Sequence, residues 1–489
     1  MHLEKHFNRF RQHIVGIDAR IFTPYGDVPL VYADWIASGR LYDPIENLIL
    51  GKLGPLVGNT HSESSETGSA MTRAYQHAHR LIKSHVNAGR DDVIITTGFG
   101  MTSALAKFQR ILGIKIPERL AAYCTLPEEE RPVVFITHME HHSNHTPWLE
   151  SLADVVILPP APGLGIQLET LEQELRKHSH RRLKIGSFTA CSNVTGIETP
   201  YHELAAVMHA NGGYCFVDFA ASAPYIRMNM HPSVREQSLD AVFFSPHKFL
   251  GGPGSSGVLI FNKNLYHNRI PDHPGGGTVL WTNPWGEHAY VDDIEIREDG
   301  GTPGFLQAIK AALSIQLKEE MGYEHIRARE KQLVEKAFTL LRDVPGLRIL
   351  ADDEEHRLAV FSFYIEGVHH NLIVKLLNDR FGIQVRGGCS CAGTYGHYLL
   401  NVDRERSHHI TEQISRGDLS EKPGWVRISL HPTTTDSELH YIANALKETS
   451  KNARDWSEDY RYLPKTAEFE SLLPHRPQPV ESWFDLSAG

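Results

Sequence analysis

The sequence predicts an α/β protein: a large domain on a mainly parallel central sheet, followed by a smaller α+β domain. Three observations predict it. Between about residues 90 and 262, short β-rich apolar runs alternate with helix-like stretches, the pattern of a sheet whose crossovers are helices. Two long helical runs then follow back to back, over 304–321 and 323–342. After them short strands and helices resume in a different order, closing on a helix that sets Leu439, Ile442, Ala443 and Leu446 on one face behind a polar Thr435-Asp436 start.

In chain order, strands are predicted over 93–97, 133–137, 155–158, 185–190, 214–218, 241–245 and 257–261, each a short run rich in Val, Ile, Phe and Tyr. Helices are predicted over 100–112, 146–152, 170–178 and 201–211, the last opening behind Thr199-Pro200. In the smaller domain the strands are 347–350, 359–365, 383–385 and 426–430, and the helices 370–381 and 437–450. The polar stretch 401–424 reads as an insertion. The Pro-containing tail 454–489 carries Trp456, Tyr460, Tyr462 and Trp483, aromatics suited to docking on a surface. The division is an N-terminal segment 1–50 packing on the small domain or the active site, a large domain 51–321, a small domain 322–453 with the insertion, and the tail 454–489. No repeat of 20 to 50 residues is present.

Composition narrows the function classes. The 489 residues are 41% hydrophobic and 22% charged with a formal net charge of −10, so no basic stripe favours nucleic acid or anionic lipid. The first residues are charged and interrupted, without a signal-peptide h-region, and no run of about 18 apolar residues occurs. Five cysteines, few and odd in number, argue for a reducing, cytoplasmic compartment and against a disulfide framework, and leave room for a working thiol.

The strand 214–218 ends at Asp218, and the strand 241–245 delivers Ser245, His247 and Lys248 into the glycine-rich turn Phe249-Leu-Gly-Gly-Pro253. One carboxylate and one amine thus stand at the carboxyl ends of two strands, where open α/β sheets bind ligands. That pairing suits pyridoxal phosphate: the amine holds the aldehyde, and the carboxylate keeps the pyridine nitrogen protonated so that the ring draws electrons. The alternative is an exposed lysine in a strand-to-loop turn. The loop Thr96-Thr-Gly-Phe-Gly-Met-Thr102 lies between a strand and a helix, so its glycines admit close backbone approach to a phosphate. It lacks the full dinucleotide fingerprint. His138, His141, His142 and His145 fall within eight residues, open to metal binding, stacking on a cofactor or a plain polar loop; Thr146-Pro147 and the lack of a carboxylate cluster speak against metal, and no metal site is expected. Arg427, in the apolar strand around Trp425-Val-Arg-Ile-Ser429, calls for an anionic partner, a substrate or a domain-bridging carboxylate.

Taken in order, the Gly-x-Thr loop, Glu140-His141-His142, Ser192-Asn193-Val194-x-Gly196, Val217-Asp218, Ser245-x-His247-Lys248, Gly300-Gly-Thr-Pro303 and Arg386-x-Gly-x-x-Cys391-Ala392 resemble the class V aminotransferase family, within it most nearly the type II cysteine desulfurases and selenocysteine lyases. The resemblance spans roughly residues 30–450. It implies the pyridoxal-phosphate fold type I and a homodimer. Carried over position by position, it implies that Lys248 holds the cofactor, Asp218 pairs with its ring nitrogen, His141 stacks on the ring and Asn193 sits near its phenolic oxygen. The phosphate falls to Gly100, Met101, Thr102, Ser245 and His247, with Thr302 reaching the neighbouring subunit's site. Arg427 and Arg386 are the substrate-binding arginines. Cys391 aligns with the nucleophile that takes sulfur or selenium from L-cysteine or L-selenocysteine, leaving alanine and a persulfide that a sulfur-acceptor protein collects; with Lys248 and His141 it completes the implied catalytic set. The alternative is a class V aminotransferase, epimerase or other lyase acting on a small amino acid, in which Cys391 is incidental, or a structural thiol together with Cys389. A binding or scaffold protein that kept only the fold is the third reading. Three departures bear on substrate: Cys389-Ser390 replaces two histidines, Ala221 stands where a glutamine is usual, and Met101 where a threonine is common.

Overall fold

The structure, a computed structural model, describes residues 3–60, 63–475 and 478–486; residues 1–2, 476–477 and 487–489 of the expected end segments lie outside them. The chain opens with helix α1 (Leu3–Arg11), which buries Phe7 and Phe10. A long helix α2 (Glu66–His85) follows, capped by Ser65 accepting from Gly68 N–H. The large domain then alternates β1 (Asp92–Thr97), α3 (Met101–Ile111), β2 (Val133–Thr137), α4 (His142–Leu149), β3 (Asp154–Leu158), α5 (Leu168–Lys177), β4 (Lys184–Thr189), α6 (Tyr201–Ala210), β5 (Tyr214–Asp218), β6 (Ala241–Phe244) and β7 (Gly257–Asn262). Helices α7 (Phe305–Met321) and α8 (Tyr323–Arg342), hinged at Gly322 with φ +83°, lead out of it.

The seven strands form one sheet in the order β1-β7-β6-β5-β4-β2-β3. All neighbours run parallel except β7, which is antiparallel to both β1 and β6. Residues of β2, β4 and β6 are buried on both faces, so β2 and β6 read as continuous apolar runs rather than as alternation, while β4 is Lys-Ile-Gly-Ser-Phe-Thr. This is the mixed α/β architecture the resemblance implies.

The small domain is an antiparallel sheet in the order β8 (Leu347–Ile349), β9 (Val360–Ile365), β11 and β10, backed by helices. In chain order after β9 come α9 (His370–Phe381), β10 (Arg386–Gly388), α10 (Gly393–Leu399), α11 (Arg404–Ser415), β11 (Trp425–Ser429) and α12 (Asp436–Trp456). Thr435 and Glu438 close a capping box on α12. The N-terminal segment touches both parts: Val31–Tyr32 pairs in parallel with Ile383–Gln384 and Arg11 grips Glu438 with both nitrogens at 2.7 and 2.8 Å, while Gly39 N–H donates to His247 O of the large domain at 2.9 Å. The polar stretch 401–424 contains α11, capped by Asp403. In the tail, Tyr460–Leu463 and Glu468–Ser471 form a hairpin against α9, with Asn371 donating to Ala467 O at 2.7 Å. Trp483 is exposed. No helix among the described residues is long and apolar enough to cross a membrane.

Of the elements that differ from expectation, two flank the large sheet. Helix α4 begins at His142, not Thr146, and runs through Pro147; its first turn is fixed by Asn144, which donates to Glu140 at 2.7 Å and to Ser187 O at 3.2 Å, a tertiary support that outweighs local propensity. Helix α2 is absent from the sequence prediction although Met71, Tyr75, Ala78 and Ile82 carry its buried face at helical spacing.

Candidate active site

A cleft of about 320 Å³ opens beyond the carboxyl ends of β1, β4, β5 and β6. Apolar strands bring its polar groups to fixed positions. Strand β5 ends at Asp218, whose Oδ1 accepts from Ala220 N–H at 2.8 Å. Strand β6 runs into the turn Pro246–Lys248, placing Lys248 in the cleft wall opposite the same aspartate's strand end. Burial lowers the Lys248 amine to about 8 against the opposing pull of Asp218, with Arg427 and Arg386 adding to the depression. Burial raises the Asp218 carboxyl to about 6, which Ala220 N–H and Lys248 partly offset. A buried carboxylate held above its ordinary range is short of a cationic partner.

At one end of the cleft the loop after β1 passes Gly98, with φ +53°, and reaches Gly100 at the start of α3. Met101 N–H donates to Ser245 Oγ at 2.9 Å, and Thr102 Oγ1 donates to Ser143 Oγ at 2.7 Å. A Cβ added at Gly100 would lie 2.9 Å from Ser245 Oγ and 3.6 Å from His247 Nε2, so only glycine leaves this cradle open. His247 is driven down to about 4 by burial and then by Lys248, so its ring is neutral at neutral pH. His141 faces the middle of the cleft, lowered to about 3 by burial and by Lys248, and its Nδ1 accepts from Ser143 N–H at 3.1 Å. Behind it Glu140 is fully buried: Oε1 accepts from Thr137 N–H and Oγ1 and from Thr189 N–H, and Oε2 from Asn144. Burial lifts this carboxyl to about 7.

The other end belongs to the small domain. Arg427 is 2% exposed. It donates to Asp34 at 2.8 Å and to Asn193 O at 3.1 Å, and its Nε has no partner among the described residues. Arg386, half-exposed, reaches the other oxygen of Asp34 at 3.4 Å. Ser390 lines the cleft, its carbonyl accepting from Asn193 at 2.8 Å and its hydroxyl from Trp425 Nε1 at 3.2 Å. Ser390 and Cys391 are both left-handed, with φ +50° and +57°, and Cys391 is exposed.

The donor set fits pyridoxal phosphate. A glycine-floored cradle with hydroxyls, an amide and a neutral imidazole suits a phosphate dianion. The under-partnered Asp218 suits a protonated ring nitrogen, and the buried, unpartnered Asn193 Oδ1 and Arg427 Nε mark polar groups that await a ligand. The structure gathers Gly100, Met101, Thr102, His141, Asn193, Asp218, Ser245, His247, Lys248, Arg386 and Arg427 around one cleft. Cys391 and Thr302 are not among the residues lining it; the thiol follows the lining residue Ser390. Ala221 does line it, at the position that departs from the family's glutamine.

Sequence reasoning passed over Asp34 and Ser143, and gave Glu140 no role beyond its place in the Glu140-His141-His142 run. The run Tyr32-Ala-Asp34 was readable as a strand end with a carboxylate, like Val217-Asp218; nothing in the sequence marks Glu140 as buried. The four histidines diverge. His138 bonds Leu164 O at 3.1 Å and meets the rings of Tyr395 and Tyr398, His141 faces the cleft, and His142 and His145 face residues 391–394.

A family model described as aminotransferase class-V matches residues 49–442. A probable cysteine desulfurase from Halalkalibacterium halodurans is 28% identical over 372 residues, covering 74% of this chain and 84% of its own length. One from Staphylococcus aureus is 25% identical over 426 residues, 86% of this chain and 92% of its own. Among solved structures, an apo cysteine desulfurase from Thermococcus onnurineus superposes with a TM-score of 0.71 at 20% identity, covering 91% of this chain and 98% of that one. An Escherichia coli cysteine desulfurase in an S-sulfonic acid form gives 0.69 at 21% identity over the same shares.

Proposed function

We propose, on the premise that the chain belongs to the class-V aminotransferase family, that it is a pyridoxal-phosphate-dependent cysteine desulfurase that moves sulfur from L-cysteine to Cys391 and releases alanine. L-selenocysteine is the alternative substrate. The observation that carries the reading is the thiol's address: Cys391 follows a cleft-lining residue, on the edge that also holds Arg386 and Arg427.

Lys248 would hold the cofactor, with Asp218, His141, Asn193 and the Gly100 cradle around it. Bound there, the cofactor supplies an electron sink beside the substrate's α-carbon. The chain's own residues do the rest. Arg427 offers its unpartnered Nε, and Arg386 a second cation, to the α-carboxylate. Lys248 Nζ, brought near neutrality by burial, takes and returns protons at neutral pH. Cys391 sulfur attacks the substrate's sulfur: an S–S bond forms, the Cβ–S bond breaks, its electron pair stays on carbon, and a proton completes alanine. A sulfur-acceptor protein then collects the persulfide from the exposed position. In a homodimer, Thr302 would join the partner site's phosphate set, and a cytoplasmic, reducing setting keeps the thiol free.

The second reading, a class V aminotransferase, epimerase or other lyase, draws on the exposure of Cys391 and on Ala221 in the cleft wall. One experiment separates them. Wild type is expected to yield equal alanine and, with reductant, sulfide from L-cysteine, with L-selenocysteine assayed alongside; Cys391→Ser is expected to keep the bound cofactor's visible absorbance and yield no sulfide, because an alcohol is a far poorer nucleophile than a thiolate. Undiminished sulfide from Cys391→Ser, or a keto acid in place of alanine, would put the second reading first.

A further inference from the structure

Three of the four histidines between residues 138 and 145 turn to the segment that carries Cys391. The backbone N–H of His142 donates to Cys391 O at 2.7 Å, and its ring Nε2 accepts from Gly393 N–H at 3.0 Å. These two bonds bracket Ala392, holding the thiol residue's own carbonyl and the amide two residues on. Further along, His145 Nδ1 stands 3.5 Å from Thr394 Oγ1, and the His138 ring meets Tyr395 edge-on at 5.5 Å. The bracket matters because the loop is not self-supporting: Ser390 and Cys391 are successive non-glycine residues at positive φ, a costly conformation that persists only where surrounding contacts impose it.

The acceptor role requires an uncharged ring, since a doubly protonated imidazole has no lone pair to offer. Burial, and then the charge of Lys422, lowers the His142 pKa and keeps the ring neutral. Lys422 belongs to the polar stretch 401–424, whose charge thereby acts on the thiol loop's support. On its other side His142 is bonded through the chain to His141, the ring facing the middle of the cleft.

We infer that His142 is a positioning residue for the desulfurase reaction: it fixes the Cys391 loop beside the cleft by hydrogen bonds to the thiol residue's own carbonyl and to the Gly393 amide, and through His141 it keys that loop to the cofactor-facing wall. The inference rests on Cys391 being the sulfur-accepting thiol. Neither His142 nor its ring touches reacting atoms; it acts by where it leaves the sulfur.

The test compares holoenzyme wild type, His142→Ala, His142→Gln and Cys391→Ser. For each, the cofactor's visible absorbance, kcat and KM for L-cysteine, and the rate of Cys391 alkylation by iodoacetamide, resolved by tandem mass spectrometry, are measured. In His142→Ala the absorbance and KM stay within about twofold, kcat falls ~10- to 100-fold because a nucleophile displaced by an ångström loses that much, and alkylation accelerates. In His142→Gln, whose side-chain amide reaches where Nε2 stood, both effects are partly reversed. Unchanged kcat and alkylation in His142→Ala overturns the inference, as does His142→Gln behaving no better than alanine. Loss of cofactor absorbance in both variants also overturns it, for the residue would then be needed by the site as a whole. Full sulfide release by Cys391→Ser would instead remove the proposed function, while the alkylation rates, which need no turnover, still report on the bracket.

Discussion

Burial does to Lys248 what catalysis by an amine requires, bringing its pKa to about 8 where neutral Nζ is available. The direction fixes a pH dependence. Well below 8 the neutral fraction falls roughly tenfold per pH unit, so capture of added pyridoxal phosphate by the cofactor-free protein is expected to slow about fivefold from pH 8 to 7 and about tenfold from 7 to 6, and to level off above pH 8. Stopped-flow absorbance measures it, and a flat profile across that range would show the amine is not held near neutrality. Lys248→Ala should bind no covalent cofactor at all. At Asp218 the buried carboxyl is raised to about 6 and has one hydrogen-bond donor, Ala220 N–H. Asp218→Ala is expected to retain part of the cofactor yet lose most turnover, since an unprotonated ring draws electrons poorly; turnover within a few-fold of wild type would rule that role out.

Helix α4 owes its place to Glu140, whose two oxygens serve only as acceptors for Thr137, Thr189 and Asn144. Asn144 cannot turn round to accommodate a change, because its Oδ1 already accepts from Ser187 Oγ at 2.7 Å and Trp148 Nε1 at 3.2 Å. Glu140→Gln therefore sets an amide N–H₂ against a donor and should cost ~1–3 kcal/mol in denaturant unfolding; a neutral result would mean the network repacks. The same helix marks where the sequence was legible and where not. Strands such as Val133–Thr137 and Tyr214–Asp218 stood out because strands covered on both faces are unbroken apolar runs, and the site groups at their ends came with them. Lys248, Asp218 and the Gly100 loop were readable for that reason. Glu140 and the start of α4 were not, for they depend on hydrogen bonds between β2, β4 and α4 that no local window contains. Asp34 escaped for a related reason: its partners lie at residues 386 and 427.

Across the whole molecule the small domain is braced from both chain ends. Asp459 accepts from Tyr25 at 2.8 Å and Arg380 at 3.0 Å, the Arg380 guanidinium lies 4.0 Å from the ring centres of both Tyr25 and Trp456, and Tyr460 is buried beside Asp379. Removing residues 457–489 strips this brace and is expected to lower the melting temperature by several degrees while the Lys248 pocket of the large domain still takes cofactor; an unchanged melting temperature would show the tail hairpin is dispensable. The Asp34–Arg427 contact has a consequence for biosynthesis. Its two residues are 393 positions apart, so the acid leaves the ribosome long before either arginine it pairs with. Domains fold in order of synthesis. A chain released before residue 386 would carry Lys248, Asp218 and the Gly100 cradle, but not Arg386, Cys391 or Arg427, so on the proposed reading an unfinished copy cannot release sulfide: the reactive set is complete only once the small domain has been made.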